Sequence, residues 1–223
     1  MRADIVSDTV LFDYWRSSAS YRVRIALNML AIPYRTVAID LLAREHRQPA
    51  HLARNPQGLV PVLLIDGETL TQSLAIIEYL SETRPNTGLL PPDALGRQRV
   101  RALSYAIAMD IHPICNLSVV SHIMQQSDDP GAARLAWMGK FIRDGLNAFE
   151  LMLDRPETGE FCHKDQPTMA DLCLVPQIYN ARRWSVDLSA YPRATAIAEQ
   201  CERLPAFAAA HPDRAARSTS AAG

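Results

Sequence analysis

The chain lacks an excess of either charge. Its 23 Lys and Arg stand against 24 Asp and Glu, for a formal net charge of −1 over 223 residues. That balance excludes the basic footprint of a nucleic-acid binder and the polybasic patch of a membrane-surface protein. No apolar run approaches the ~20 residues that a bilayer-spanning helix needs. The first residues, Met1-Arg2-Ala3-Asp4-Ile5-Val6-Ser7-Asp8, carry acids and no apolar core, so a secretory signal is not expected. There is no internal repeat. Cysteine is sparse: Cys115, Cys162, Cys173 and Cys201 are scattered without a C-x2-C pair, so no metal site is expected. They read as free thiols in a reducing, cytoplasmic setting. What is present, 48% hydrophobic and 21% charged residues, is the composition of an ordinary globular protein with one large or two small domains.

Two styles of sequence divide the chain. Up to about Leu80 the elements alternate. The patterning predicts a strand over 9–15, a helix over 20–31 and a strand over 34–39, then an irregular polar stretch over 43–54. Val60-Pro61-Val62-Leu63-Leu64-Ile65 reads as a strand, Asp66-Gly67 as a hairpin turn and Thr69-Leu70 as the return strand. A helix follows over 73–84, with Ala75, Ile76, Tyr79 and Leu80 as its apolar stripe. The order βαβ then ββα implies a small mixed sheet with helices packed on it. Residues 83–88 break the helix, and Leu89-Leu90-Pro91-Pro92 reads as a linker.

Beyond Pro92 the pattern is helical. One helix is expected over 93–127, kinked rather than ended at His112-Pro113. Another is expected over 130–153, with Leu135, Met138, Phe141, Ile142 and Leu146 inward. Thr168-Met169-Ala170-Asp171 is a capping box, with Asp in place of the usual Glu or Gln. Short helices are expected over 193–203 and 205–210, and a disordered tail from Ala215 to Gly223. The expected domains are an α/β unit over 1–90 and an all-helical unit over 91–223.

The stretch richest in chemistry is Ser17-Ser18-Ala19-Ser20-Tyr21-Arg22-Val23-Arg24-Ile25-Ala26-Leu27. A strand, a serine-rich turn and a helix N-terminus place unpaired N–H groups and a positive dipole end together, which suits an anion such as a phosphate or a thiolate. A plain serine N-cap explains the same residues.

Four motifs carry a resemblance: the serine stretch, Asn55-Pro56-Gln57-Gly58-Leu59-Val60-Pro61, Gln72-Ser73-Leu74-Ala75-Ile76-Ile77-Glu78-Tyr79-Leu80, and Thr168-Met169-Ala170-Asp171-Leu172-Cys173-Leu174-Val175-Pro176. From about Val10 to about Pro212 the chain resembles the soluble glutathione transferase family. The first motif, close to S-S-C-x-W-R-V-R-I-A-L, together with Asp110-Ile111-His112-Pro113 and Asn116-Leu117, resembles its zeta class, which includes the maleylacetoacetate isomerases. The fold this implies is a thioredoxin-like α/β domain followed by an all-α domain, in a homodimer.

The resemblance implies glutathione as cofactor and a role for each motif. Ser18, and second to it Ser17, would hold the thiolate. Val60-Pro61 would be a cis turn whose backbone pairs with the cysteinyl backbone of glutathione; an ordinary trans proline at a strand edge is the alternative. Gln72 and Ser73 would receive the γ-glutamyl carboxylate at a helix N-terminus, a role compatible with a plain cap. His46 and Gln48 would reach the glycine end, or are solvated loop residues. His112 and Asn116, one helical turn apart, would face the cleft between domains, or His112 is a helix-face histidine beside a kink. Arg16 and Arg183 would bind substrate carboxylates, or are solvated surface charges.

The implied reaction is glutathione-dependent cis–trans isomerisation of maleylacetoacetate to fumarylacetoacetate in tyrosine breakdown. The thiolate adds to the cis double bond, the adduct rotates, and the thiolate leaves. Charge that develops on a carbonyl oxygen calls for fixed donors. The class cysteine is replaced by Ala19, which counts against the class's dehalogenation activity and leaves isomerisation standing. Some related maleylpyruvate isomerases carry an arginine where this chain has Leu117-Ser118, which favours maleylacetoacetate. The alternatives are a maleylpyruvate isomerase or a general glutathione transferase, and last a non-catalytic protein on the same scaffold. The expected partner is a small dicarboxylate or diketo-acid, with no nucleic acid and no membrane.

Overall fold

The computed structural model describes residues 8–84 and 87–220. Its contacts divide the chain into two units, one of residues up to Thr87 together with those from Pro205, the other Gly88–Leu204. The first unit contains β1 (Val10–Asp13), α1 (Ser18–Met29), β2 (Arg35–Ala38), a 3-10 turn (Glu45–Arg47), α2 (Pro49–Leu52), β3 (Val62–Ile65), β4 (Glu68–Thr71) and α3 (Ser73–Thr83). The sheet runs in the order β2-β1-β3-β4. Strand β1 is parallel to β2 and antiparallel to β3, with Phe12 opposite Val37 and Val62. The hairpin between β3 and β4 turns on Asp66 and Gly67, both at positive φ (56° and 81°), which matches the right-handed twist of the strands it joins.

Helix α1 is buried along Ser20–Leu27, two charged residues included. Continuous burial needs cover beyond the apolar stripe. Helix α9 (Pro205–Ala210) supplies part of it: Asn28 Nδ2 donates to the Ala206 carbonyl at 3.1 Å and Arg24 Nε to that of Ala210 at 3.0 Å. The segment from Pro205, which the sequence places in the helical domain, therefore packs with the sheet unit. The tail expected to be disordered from Ala215 forms part of α10 (Pro212–Ser220), while 221–223 lie outside the described residues. So do residues 1–7 and Pro85-Asn86, on which the leader and part of the helix-break expectation fall. In α3 the stripe is Ile76, Ile77 and Leu80, all fully buried, with Ala75 exposed.

The second unit is helical, with α4 (Ala94–Tyr105), α5 (Leu117–Gln125), α6 (Pro130–Met152), α7 (Met169–Arg183) and α8 (Pro192–Glu202). The helix expected over 93–127 is two helices. After α4 the chain widens into π turns over Ala106–Ile111, with His112 N–H donating to the Ile107 carbonyl at 2.9 Å. Pro113 has no N–H to continue the ladder and its ring excludes the carbonyl of Met109. A new helix then starts at Asn116, whose side chain caps the Leu117 N–H. Gly145 in α6 permits close approach here, since a Cβ would lie 2.2 Å from Ile111 Cγ1. Met138, Ile142 and Leu146 face inward as expected, but Leu135 is 59% exposed. The capping box is present: Asp171 accepts from Thr168 N–H (2.7 Å), Thr168 Oγ1 (3.0 Å) and Cys162 N–H (2.8 Å). Among the described residues, no helix is long and apolar enough to cross a membrane.

Candidate active site

The serine turn is set by what lies beneath it. Asp13, at the end of β1, receives Arg24 Nη1 on both carboxylate oxygens at 2.7 Å, and Arg24 Nη2 donates to the Trp15 carbonyl at 2.9 Å. Both side chains of this ion pair are buried. One arginine thus joins the strand end, the turn, α1 and α9.

Above this anchor, Ser17 is the N-cap of α1, and its Oγ accepts the Ser20 N–H at 3.2 Å. The first intrahelical bond runs from Tyr21 N–H to the Ser17 carbonyl at 2.8 Å. Ser18 and Ala19 N–H precede it and bond to no other described residue. A hydroxyl donates one proton and accepts through two lone pairs. The cap uses Ser17 only as an acceptor, so its orientation is held while its proton remains free to donate. The Ser18 hydroxyl has no hydrogen-bond partner among the described residues. Arg16 lies 4.5 Å over the Trp15 ring and donates to Tyr14 Oη at 3.2 Å.

The second motif is a braced loop. His51 Nε2 and Asn55 Nδ2 both meet the Leu59 carbonyl, at 3.0 and 2.9 Å, and Asn55 Oδ1 accepts the Gln57 N–H at 3.1 Å. Gly58 sits at φ +61°, where a Cβ would come within 2.9 Å of the His46 carbonyl, so a side chain has no room. The Val60-Pro61 bond is cis. The β-ladder begins only at Val62, which leaves the Val60 backbone outside it.

The third motif opens α3. Gln72 stands at φ +67° and its side-chain amide donates to Gln57 Oε1 at 2.7 Å. Ser73 is buried, and its Oγ accepts from Arg22 Nη1 at 3.2 Å. A buried cation therefore stands beside the N-terminus of α3, where N–H groups of the first turn await an anion.

The remaining candidates are dispersed. His46 lies in the 3-10 turn, its imidazole held below the usual histidine value by burial and then by Arg47, His51 and Arg44. Gln48 is exposed at the start of α2 and uses no side-chain bond there. In the helical unit, His112 closes the π turns and Asn116 caps α5, so the shared helix face expected of them is absent. Arg183 ends α7 with its guanidinium 5.0 Å from the Trp184 ring centre.

Sequence reasoning missed Arg22, the Arg24–Asp13 pair and the His51–Asn55 brace. Arg22 and Arg24 flanking Val23 just before Ile25-Ala26-Leu27 are the available signal, because cations set into an apolar run require partners. Three of the protein's thiols are poor nucleophiles: burial raises Cys115 to about 11 and pushes Cys162 and Cys201 up as well. N–H groups at two helix N-termini and a Val60 backbone outside the β-ladder fit an anionic thiol peptide.

Comparison with known proteins agrees. Residues 7–82 match the family model for the glutathione S-transferase N-terminal domain. The chain is 68% identical over 211 residues to a maleylacetoacetate isomerase of Rhizobium meliloti (strain 1021), covering 95% of this chain and 99% of that protein. It superposes on a bacterial zeta-class maleylpyruvate isomerase in its holo form with a TM-score of 0.89 at 44% identity, over 92% of this chain and 97% of the other. A Methylobacterium extorquens maleylacetoacetate isomerase with bound malonate and glutathione gives 0.88 at 40% identity, again over 92% and 97%. The chain belongs to the glutathione transferase family, in the zeta class of maleylacetoacetate and maleylpyruvate isomerases.

Proposed function

We propose that the chain is a glutathione-dependent isomerase that converts maleylacetoacetate to fumarylacetoacetate, a step of tyrosine breakdown in the cytoplasm. The observation that carries this reading is the serine turn: a held Ser17 hydroxyl with a free proton, beside unpaired Ser18 and Ala19 N–H groups, over a buried ion pair. The 68% identity to a maleylacetoacetate isomerase, against 44% to a maleylpyruvate isomerase, supports the substrate.

When bound, glutathione would supply the thiolate for reversible addition to the cis double bond, with no net gain or loss of atoms or electrons. The chain's residues do the rest. Ser17 donates a hydrogen bond to the sulfur, and Ser18 adds its hydroxyl and N–H, each lowering the thiol's pKa as a helix N-terminus does. Val60 pairs its backbone with the peptide as an added strand would. Gln72 and Ser73 take the γ-glutamyl carboxylate, with Arg22 adding charge behind Ser73. His46 and Gln48 serve the glycine end. His112 and Asn116 are further candidates for the ligand, and Arg16 and Arg183 for the substrate carboxylates. Ala19 removes the class thiol without removing this chemistry. We also infer a homodimer; Leu95 (82% exposed) and Met109 (55%) are apolar side chains that a second copy would cover.

The test is conversion of maleylacetoacetate by the purified protein with and without glutathione, alongside maleylpyruvate and an uncharged chlorinated aromatic. Saturable, glutathione-dependent conversion of maleylacetoacetate is expected. Turnover of the aromatic alone returns the protein to a general transferase. Light scattering tests the dimer.

A further inference from the structure

One backbone carbonyl in the sheet unit carries two side-chain donors. His51 Nε2 and Asn55 Nδ2 lie 3.0 and 2.9 Å from the Leu59 oxygen. Helical spacing brings them together. The His51 N–H donates to the Gln48 carbonyl at 3.0 Å and the Asn55 N–H to that of His51 at 2.9 Å, so the two side chains stand one turn apart on one side. Both residues are buried, at 2% and 3% exposure. Asn55 has further duties: its Oδ1 accepts the Gln57 N–H and its carbonyl accepts the Gly58 N–H. The His51 ring has the bond to Leu59, while its Nδ1 is buried without a partner.

A packing residue would not need that arrangement. A carbonyl only accepts, so Nε2 carries the ring proton and Nδ1 is left as a bare lone pair. Buried polar atoms without partners are destabilising, and native structures keep few of them. A phenyl ring would fill the same space without that loss. What the imidazole adds is the bond to Leu59. The amide that it holds ends in the Val60 N–H. The Leu59–Val60 peptide is trans and planar, so its N–H points opposite to its carbonyl, and fixing one fixes the other. Two donors on the oxygen also polarise the amide and strengthen its N–H as a donor. Val60 lies outside the ladder that begins at Val62.

We propose that His51 is a positioning residue for glutathione: with Asn55 it clamps the Leu59 carbonyl, and through that amide it aims and strengthens the Val60 N–H toward the cysteinyl carbonyl of the bound peptide. This role rests on the reading that Val60 pairs its backbone with glutathione. The ring acts through the backbone alone, and no motif marks it. It governs how tightly the peptide is held, separately from the serine turn that sets the thiolate.

The experiment is calorimetric titration of glutathione into the full-length protein. Nitrogen–proton correlation spectra follow the Val60 amide, and far-ultraviolet dichroism and thermal midpoint report on folding. His51→Phe keeps a ring and loses the donor; the share of one neutral hydrogen bond predicts about three- to tenfold weaker glutathione binding. The Val60 amide should shift on glutathione binding in the wild type, and by less in the variant. His51→Gln offers an amide donor in place of the ring and should recover part of the affinity. His51→Met is a second donor-free variant, more forgiving in packing, and is read the same way if His51→Phe does not fold. In kinetics the donor-free variants should raise KM for glutathione more than they lower kcat. A purely structural role would lower the thermal midpoint and leave glutathione affinity and the Val60 shift at their wild-type values, which overturns the role of His51 alone. A wild-type Val60 amide that glutathione does not move overturns the reading of Val60 and the role of His51 with it. Both results are read without substrate, so the outcome of the isomerase assay changes neither.

Discussion

The two units hold their buried polar groups by different means. In the sheet unit they tie separate segments together: Asp13 and Arg24 lock the end of β1 to α1, Arg22 reaches Ser73 at the start of α3, and His51 with Asn55 holds the loop before Pro61. In the helical unit a helix cap does the same work, with Asp171 accepting from Thr168 and Cys162. Both units also hold buried polar atoms without an acceptor, Arg16 Nε in the one and Arg134 Nε in the other.

The sharpest way to break this comparison is through the ion pair. Arg24→Met leaves the Asp13 carboxylate buried without its cation and should destabilise the protein by about 3–5 kcal/mol in urea unfolding, with Arg24→Met/Asp13→Leu recovering most of that. A loss under about 1 kcal/mol would mean that the pair is not structural. Next in size, Leu146→Ala in the core of the helical unit should cost about 2–5 kcal/mol by the same measurement. Ser17→Ala should lower kcat/KM for isomerisation by about one to two orders of magnitude, the share of a single positioned donor. Ser18→Ala should cost less, because its hydroxyl is not held. This reverses the order expected from the sequence, and no loss in either variant would show that the backbone N–H groups dominate.

The smaller effects sharpen rather than break. His46 in the folded chain holds its proton less tightly than in the unfolded chain, whose value is near 6.5. As pH falls below about 6.5 the unfolded state takes the proton first, so stability is lost down through the folded value. His46→Gln should flatten that part of the urea midpoint against pH. Smallest of all, Leu135→Ser should change stability by no more than about 0.5 kcal/mol, because the side chain already faces solvent.

Much of the sheet unit was legible because its signals are local. Asp66-Gly67 dictates the turn, Val60-Pro61 stands at the head of a strand, and the serine run marks a helix start. Leu135 and the region around Pro113 show where local signals mislead. Leu135 has the right spacing for the core, yet exposure depends on which neighbours exist, and periodicity does not supply them. At Pro113 the apolar pattern resumes without a shift, so it hides a break that Asn116 repairs by capping α5. The attachment of the chain from Pro205 to α1 depends on carbonyls near Ala206 and Ala210 meeting Asn28 and Arg24, a pairing of distant residues that no spacing encodes. The preference proposed for Ser17 over Ser18 was equally closed to sequence, because it rests on which hydroxyl the helix has already engaged.

The central claim is that the serine turn converts a bound thiol to thiolate. The direct measurement is titration of the thiolate absorbance of glutathione bound to the wild-type protein and to Ser17→Ala. The account predicts that the bound thiol titrates at least about one unit below the ordinary cysteine value near 8.5, and that Ser17→Ala moves it back up. A bound thiol that titrates like free glutathione in the wild type would contradict it.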